Sequence, residues 1–209
     1  MKKIFHCLFL CLFLLPDFAR AAADKSYIYD YDGNVVLVRR GLGIKLKANM
    51  TLENNDVLKT DVDGKLDITM NQIAAASFFG SAECVLDNIQ SGSTHLTLNN
   101  GQGLFNLKTS PSGGSFIVET QNATATATLL TQFLCKTETT GDKASSVFVV
   151  RKGQIQIIVK ASGSTINVLE GQALDISLSN FISAPRNATE KEFNTVRGAN
   201  SIIIDSDAS

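Results

Sequence analysis

Tryptophan is absent from the 209 residues, and cysteine, proline and histidine are scarce, at 4, 3 and 2. The histidines are His6, within the first apolar stretch, and His95, so the body of the chain offers no histidine pair for a zinc site and little for a histidine-based triad. There is also no Gly-x-Ser-x-Gly elbow, no Cys-x-x-Cys and no glycine-rich loop opening a helix, and the hydrolase and redox classes lose their usual signatures. Neither sign of charge dominates. With 19 Lys and Arg against 20 Asp and Glu, the formal net charge is −1, which leaves no basic field for nucleic acid or an anionic membrane surface. Long apolar runs are missing too, apart from Ile4–Leu15, and a run of that length falls short of the roughly 18 residues a membrane-spanning helix needs.

That run is nonetheless informative. It follows Met1-Lys2-Lys3, breaks at Pro16 and leads to Ala19-Arg20-Ala21-Ala22-Ala23, the charged, apolar and small-residue order of a signal peptide. The expected leader is 1–23, with cleavage after Ala21 or Ala23, and no span is expected in the mature chain. Cys7 and Cys11 leave with it, so Cys84 and Cys135 remain. Cys84 shares parity with Phe78, Ala82 and Leu86, and Cys135 shares it with Phe133. Both point to a buried face, and in an oxidising compartment the pair is expected to form one disulfide, with two inert buried thiols as the alternative.

From residue 33 onward a phrase recurs: a glycine, then apolar residues alternating with polar ones. Gly33–Val38, Gly64–Ile68, Gly103–Leu107, Gly153–Ile157, Gly163–Val168 and Gly171–Leu178 all carry it. Period-two alternation buries one set of side chains and solvates the other, and glycine suits the turns between such runs. The fold class is therefore all-β: a single domain of many short strands, of sandwich or roll type. Tyr27, Tyr29 and Tyr31 form a stripe on an edge segment at 24–32, ahead of the β domain at 33–180. Phe116–Lys136 alternates over more residues than one strand usually holds, which predicts a bend or bulge within it. After Pro185 a short helix is expected, with Asn187 as its cap and Glu190 three residues on, and it opens a C-terminal helix and tail at 181–209. In the tail, Ile202–Ile204 reads as either a last strand pinned to a sheet edge or a mobile end, the strand being favoured because three exposed isoleucines would be an aggregation hazard.

Several phrases in order resemble the FecR domain, a bacterial periplasmic all-β module. They are Gly33-Asn34-Val35 leading to Arg39, then Leu52-Glu53-Asn54-Asn55-Asp56-Val57-Leu58-Lys59-Thr60, then Gly64-Lys65-Leu66. Later come Thr120-Gln121-Asn122-Ala123-Thr124-Ala125 with Thr131-Gln132-Phe133, then Val149–Ile155 and Gly171-Gln172. Asn55 stands where the family has glycine, which asparagine can replace in a left-handed turn. The resemblance implies a protein that acts by contact with other envelope proteins, and the leader implies a periplasmic or secreted one. The residues leave a cell-wall or surface polysaccharide open as the partner, and with the usual motifs missing no cofactor, metal or catalytic residue is expected.

The remaining chemistry is carboxylate. Asp61-Val62-Asp63-Gly64 reads as an Asp-Gly hairpin turn, since Gln72 stands where a calcium loop needs its closing glutamate. Asp56 reads as a turn acid satisfying backbone N–H groups. His95 reads as a surface-loop histidine. The function expected is an exported non-catalytic binding or scaffold protein of the cell envelope. The alternative is an envelope hydrolase drawing a carboxylate pair from Asp56, Asp61, Asp63, Asp67 or Glu83.

Overall fold

The computed structural model describes residues 25–90, 93–108, 114–128, 130–179 and 181–198. The expected leader and the Ile202–Ile204 strand lie outside the described residues. Fifteen strands and one helix follow in order: β1 (Tyr27–Asp32), β2 (Val35–Arg39), β3 (Leu42–Ile44), β4 (Val57–Thr60), β5 (Lys65–Met70), β6 (Ala74–Gln90), β7 (Ser93–Leu107), β8 (Phe116–Glu119), β9 (Ala123–Ala127), β10 (Gln132–Thr140), β11 (Lys143–Lys152), β12 (Gln154–Val159), β13 (Thr165–Leu169), β14 (Gln172–Ile176), β15 (Arg186–Asn187) and α1 (Glu190–Gly198).

The long strands β6 and β7 organise the rest. The first half of β6 pairs with β5, and the second half, from Glu83, pairs with β4. β7 returns along β6, with its start parallel to β8 and its end antiparallel to β10. Between Phe79 and Glu83 the register shifts, and Gly80 and Ser81 take positive φ. Opposite them lies Gly101, at φ 84, where a Cβ would come within 2.4 Å of the Ala82 Cα, so the bend admits no side chain there. The ribbon folds at this point and carries the single sheet into two rows. One row runs β1, β5, β6, β7, β10, β11, β14, β15; the other runs β3, β2, β4, β6, β7, β8, β9, β12, β13.

The rows meet over one core. Phe105 of the first row packs on Phe116 of the second with ring centroids 5.8 Å apart, and Phe133 lies 5.1 Å from Phe105. Ala123, Ala125 and Ala127 face the same core, fully buried. Fully burying a phenylalanine or leucine contributes about 1.5–3 kcal/mol, so this layer holds the rows together.

Four of the glycine phrases mark corners where the chain passes between rows: Gly33, Gly64, Gly153 and Gly171. This corrects the hairpin expected at Asp61–Gly64. β4 and β5 do not pair; each joins a different half of the bent β6. The corner is fixed by main-chain bonds from Ser81 N to the Asp61 carbonyl (2.9 Å) and from Asp61 N to the Asn34 carbonyl (3.1 Å). The run Phe116–Lys136, where the alternation predicts a bend or bulge, is broken twice into β8, β9 and the start of β10, and Thr120 and Asn122 close the first break as a tight turn.

The helix also begins later than expected. Arg186 and Asn187 are committed to β15, paired with β14, so the backbone cannot turn helical until Thr189. Thr189 Oγ1 accepts from Glu192 N (3.3 Å) while the Glu192 carboxylate accepts from Thr189 N (2.7 Å), a reciprocal capping box. Ala188 packs on a second apolar cluster formed by Ala75, Leu104, Leu134, Val149 and Ala173. Leu134, on the opposite face of β10 from Phe133 and Cys135, is buried in this second cluster.

Candidate functional site

Of the carboxylates named from sequence, Asp56, Asp67 and Glu83 are each held by a basic partner of their own. Asp56 is fully buried and accepts from Arg39 through both oxygens, at 2.7 Å each, and from Glu53 N at 2.8 Å. The Arg39 guanidinium also binds Glu53 and the Thr51 carbonyl, so Asp56 ties the segment before β4 to β2. Asp67 accepts from Ser77 Oγ and pairs with Lys65 at 3.1 Å. Glu83 pairs with Lys59 at 2.8 Å, and that bond holds it below the ordinary carboxylate range. Asp61 accepts from Asp63 N in the corner turn. Among the described residues the only hydrogen bond between any of these five runs from the Asp63 main-chain N–H to the Asp61 carboxylate, within one turn. General acid and base work needs two groups whose environments act on each other, and each of these acids is occupied with its own structural partner or exposed in a turn.

His95 is not in a loop; it lies within β7, half-buried on the outer face of the second row. Its Nε2 is 2.9 Å from Glu119 Oε2 on β8, and Glu119 Oε1 accepts from Lys160 Nζ at 2.5 Å. The Lys160 ammonium, helped by His95, keeps the Glu119 carboxyl below its usual range. The strand register brings β7, β8, β9 and β12 side by side, which places Lys160, just past β12, over Glu119.

Lys160 also enters a cleft of about 320 Å³ at one end of the molecule, lined by Gln121, Asn122, Asp142, Lys143, Ala144, Lys160, Ala161 and Leu178. Three turns make its walls: β8 to β9, β10 to β11, and β12 to β13. Asn122 joins them. It is 5% exposed, donates to the Ala144 carbonyl (2.9 Å), and accepts from Thr120 Oγ1 (3.0 Å) and Ser146 Oγ (2.7 Å). Its own carbonyl accepts from Lys160 N at 3.0 Å. Ser146 and Thr137, also buried, extend the network. A buried polar network in which the members satisfy one another rigidifies its surroundings. The sequence hinted at this only through the polar interruption Thr120–Asn122 between two apolar alternations; nothing local flagged Glu119, Lys160 or Ser146.

Cys84 and Cys135 are both free and fully buried in the main core. Burial pushes both thiols up, and at Cys84 charge on Asp87 and Cys135 raises the value further. They lie within electrostatic reach of each other.

The ends of the two rows differ in protection. At β1, Asp30 and Asp32 turn back onto the N–H groups of Tyr31 and Gly33, and Ile28 N is taken by the Met50 carbonyl. β3 has three residues and β15 two. β13, Thr165-Ile166-Asn167-Val168-Leu169, has five residues with no charge and no proline, and among the described strands it pairs only with β12. Its alternation is fixed at both ends. Val159 N donates to the Ser164 carbonyl, whereas Leu169 N donates to the Gln172 side chain, so the even residues bond inward and the N–H groups of Thr165 and Asn167 point outward. An edge of this kind lacks the usual blocking devices.

No family model matches this chain, and no curated protein does either. Among solved structures, it is similar to two crystal structures, at 1.65 and 2.50 Å, of a protein from Parabacteroides distasonis ATCC 8503 described provisionally as an anti-sigma factor. Identity is 16% in both, with TM-scores of 0.53 and 0.54. The matched region covers 65% and 66% of this chain and 62% and 63% of the other, so the chain spans about three fifths of that protein's length. The likeness is one of fold. No described helix is long and apolar enough to cross a membrane.

Proposed function

We propose that this chain is an exported, non-catalytic binding protein of the bacterial cell envelope, with a FecR-like β domain that takes an extended segment of a protein partner along β13. The observation that carries the reading is the β13 edge, which no described strand other than β12 pairs with and where a partner strand gains main-chain hydrogen bonds and side-chain pockets at alternate positions. The separate engagement of Asp56, Asp67 and Glu83 by their own partners supports binding over hydrolysis. Likeness to structures described as anti-sigma factors, a name that implies a protein partner, favours protein over polysaccharide.

The test compares mature protein with an Asn167→Pro variant in capture from envelope extract. The Asn167 N–H points away from β12, so proline there leaves the β12 ladder intact while removing a donor and placing a ring against any added strand. A partner retained by the parent and lost by a folded Asn167→Pro variant supports the proposal. Equal capture by both, or an envelope-degrading activity abolished by Asp56→Asn in a folded protein, overturns it.

A further inference from the structure

The cleft at the end of the molecule is independent of the β13 edge and carries its own chemistry. Two of its charged groups, Asp142 and Lys143, stand exposed in the turn opening β11, and no salt bridge or hydrogen bond engages either side chain among the described residues. The third, Lys160, is already neutralised by Glu119. The Gln121 amide is anchored by its N–H on the Asp142 carbonyl, at 2.9 Å, which leaves its oxygen as an acceptor. Ala144, Ala161 and the half-exposed Leu178 supply apolar wall. Beneath them the buried Asn122 ties the main chain of the three turns together, which lowers the backbone ordering cost of binding, while the exposed Asp142 and Lys143 side chains order when a ligand enters.

We propose that this cleft binds a small zwitterion of amino-acid or dipeptide size, its ammonium taken by Asp142 and its carboxylate by Lys143. A ligand of one sign alone would leave the opposite member of the pair unmatched. The volume, about 320 Å³, stands at the lower end of the roughly 300–1,000 Å³ of small-molecule sites. Among the described residues no aromatic ring lines the cleft, so none of them offers the stacking surface a sugar ring would use.

The experiment is an amide NMR titration of the mature protein with L-alanyl-L-alanine. Two blocked forms run alongside it, one N-acetylated and one with an amidated C-terminus. Saturable shifts confined to residues around Gln121–Asn122, Asp142–Ala144 and Lys160–Ala161 are expected. Removing either terminal charge, or substituting Asp142→Asn or Lys143→Gln, should weaken binding about threefold to fivefold, the scale of one solvent-exposed ion pair. Unchanged spectra outside the cleft in both variants show that they are folded. Absence of saturable shifts, or equal affinity for the dipeptide and both blocked forms, overturns the proposal.

Discussion

Asp56 shows how much of a site a single residue can decide. A fully buried carboxylate held by both nitrogens of a guanidinium fork and by a backbone N–H is a structural knot, and removing it strands Arg39, whose side chain is only 20% exposed. Breaking a buried ion pair from one side costs about 3–5 kcal/mol, whereas an exposed pair contributes about 1 kcal/mol or less. Asp56→Ala should therefore lower the urea midpoint sharply, while Glu53→Gln, at a side chain 48% exposed, should move it little; comparable small shifts for both would contradict this assignment. Much of this was legible in the sequence: the turn role of Asp56 was, and so was the left-handed conformation of Asn55, which has φ 67. What was not legible was Arg39 as its partner, since that contact depends on β2 and β4 pairing.

The two cysteines belong to the same scale. Their parity placed both side chains in the core, where the structure has them, free and within electrostatic reach of each other. We propose that, in an oxidising compartment, thiol–disulfide exchange with an oxidised dithiol carrier, which takes up the two electrons and two protons, converts them to a disulfide. This would close a loop of about 50 residues and stabilise by up to about 4 kcal/mol on the chain-entropy model. Alkylation in denaturant without reductant, read by mass, should then find no free thiol in protein taken from its native compartment. Two adducts would leave the pair as buried thiols.

At the scale of elements, the C-terminal helix shows how sheet pairing moves a local signal. Asn187 has the chemistry of a cap, yet β15 consumes it, and Thr189 with Glu192 closes the helix instead. Arg186 then bridges Asp175 on β14 (2.6 Å) and Glu192 on α1 (2.7 Å), joining the helix to the sheet. The Arg186 hydrogen bond, with further bonds from Thr189, lowers the Glu192 carboxyl from 4.5 to about 2. A carboxylate depressed in the folded state contributes stability above its unfolded pKa and loses it as pH falls through the folded value. The melting-temperature gap between parent and Glu192→Gln should thus be full above about pH 4.5 and shrink toward pH 2. A gap that stayed constant over this window would show that the carboxylate charge does not act here.

For the whole molecule, alternation and glycine punctuation were enough to read an all-β fold with one short C-terminal helix. Row membership was not readable in the same way. The same Asp-Gly signal serves a hairpin within a row and a corner between rows, and which one forms at Gly64 is decided by the bend at Gly80–Ser81, well down the chain. For the same reason the end cleft was hidden, since its residues come from three turns and a segment beyond β14 and meet only once both rows are in place. The β13 edge was half visible: its uncharged Thr-Ile-Asn-Val-Leu run could be read as a strand, but its terminal position could not.

That edge is the centre of the functional account, and amide hydrogen exchange across β13, with the captured partner bound and absent, tests it most directly. In the free protein the N–H groups of Ile166 and Val168 should already be protected by β12, while those of Thr165 and Asn167 exchange quickly. The account predicts that saturation with partner slows Thr165 and Asn167 by roughly tenfold or more, the scale of about 1.4 kcal/mol of added protection. Unchanged exchange at both amides in a saturated complex would contradict it.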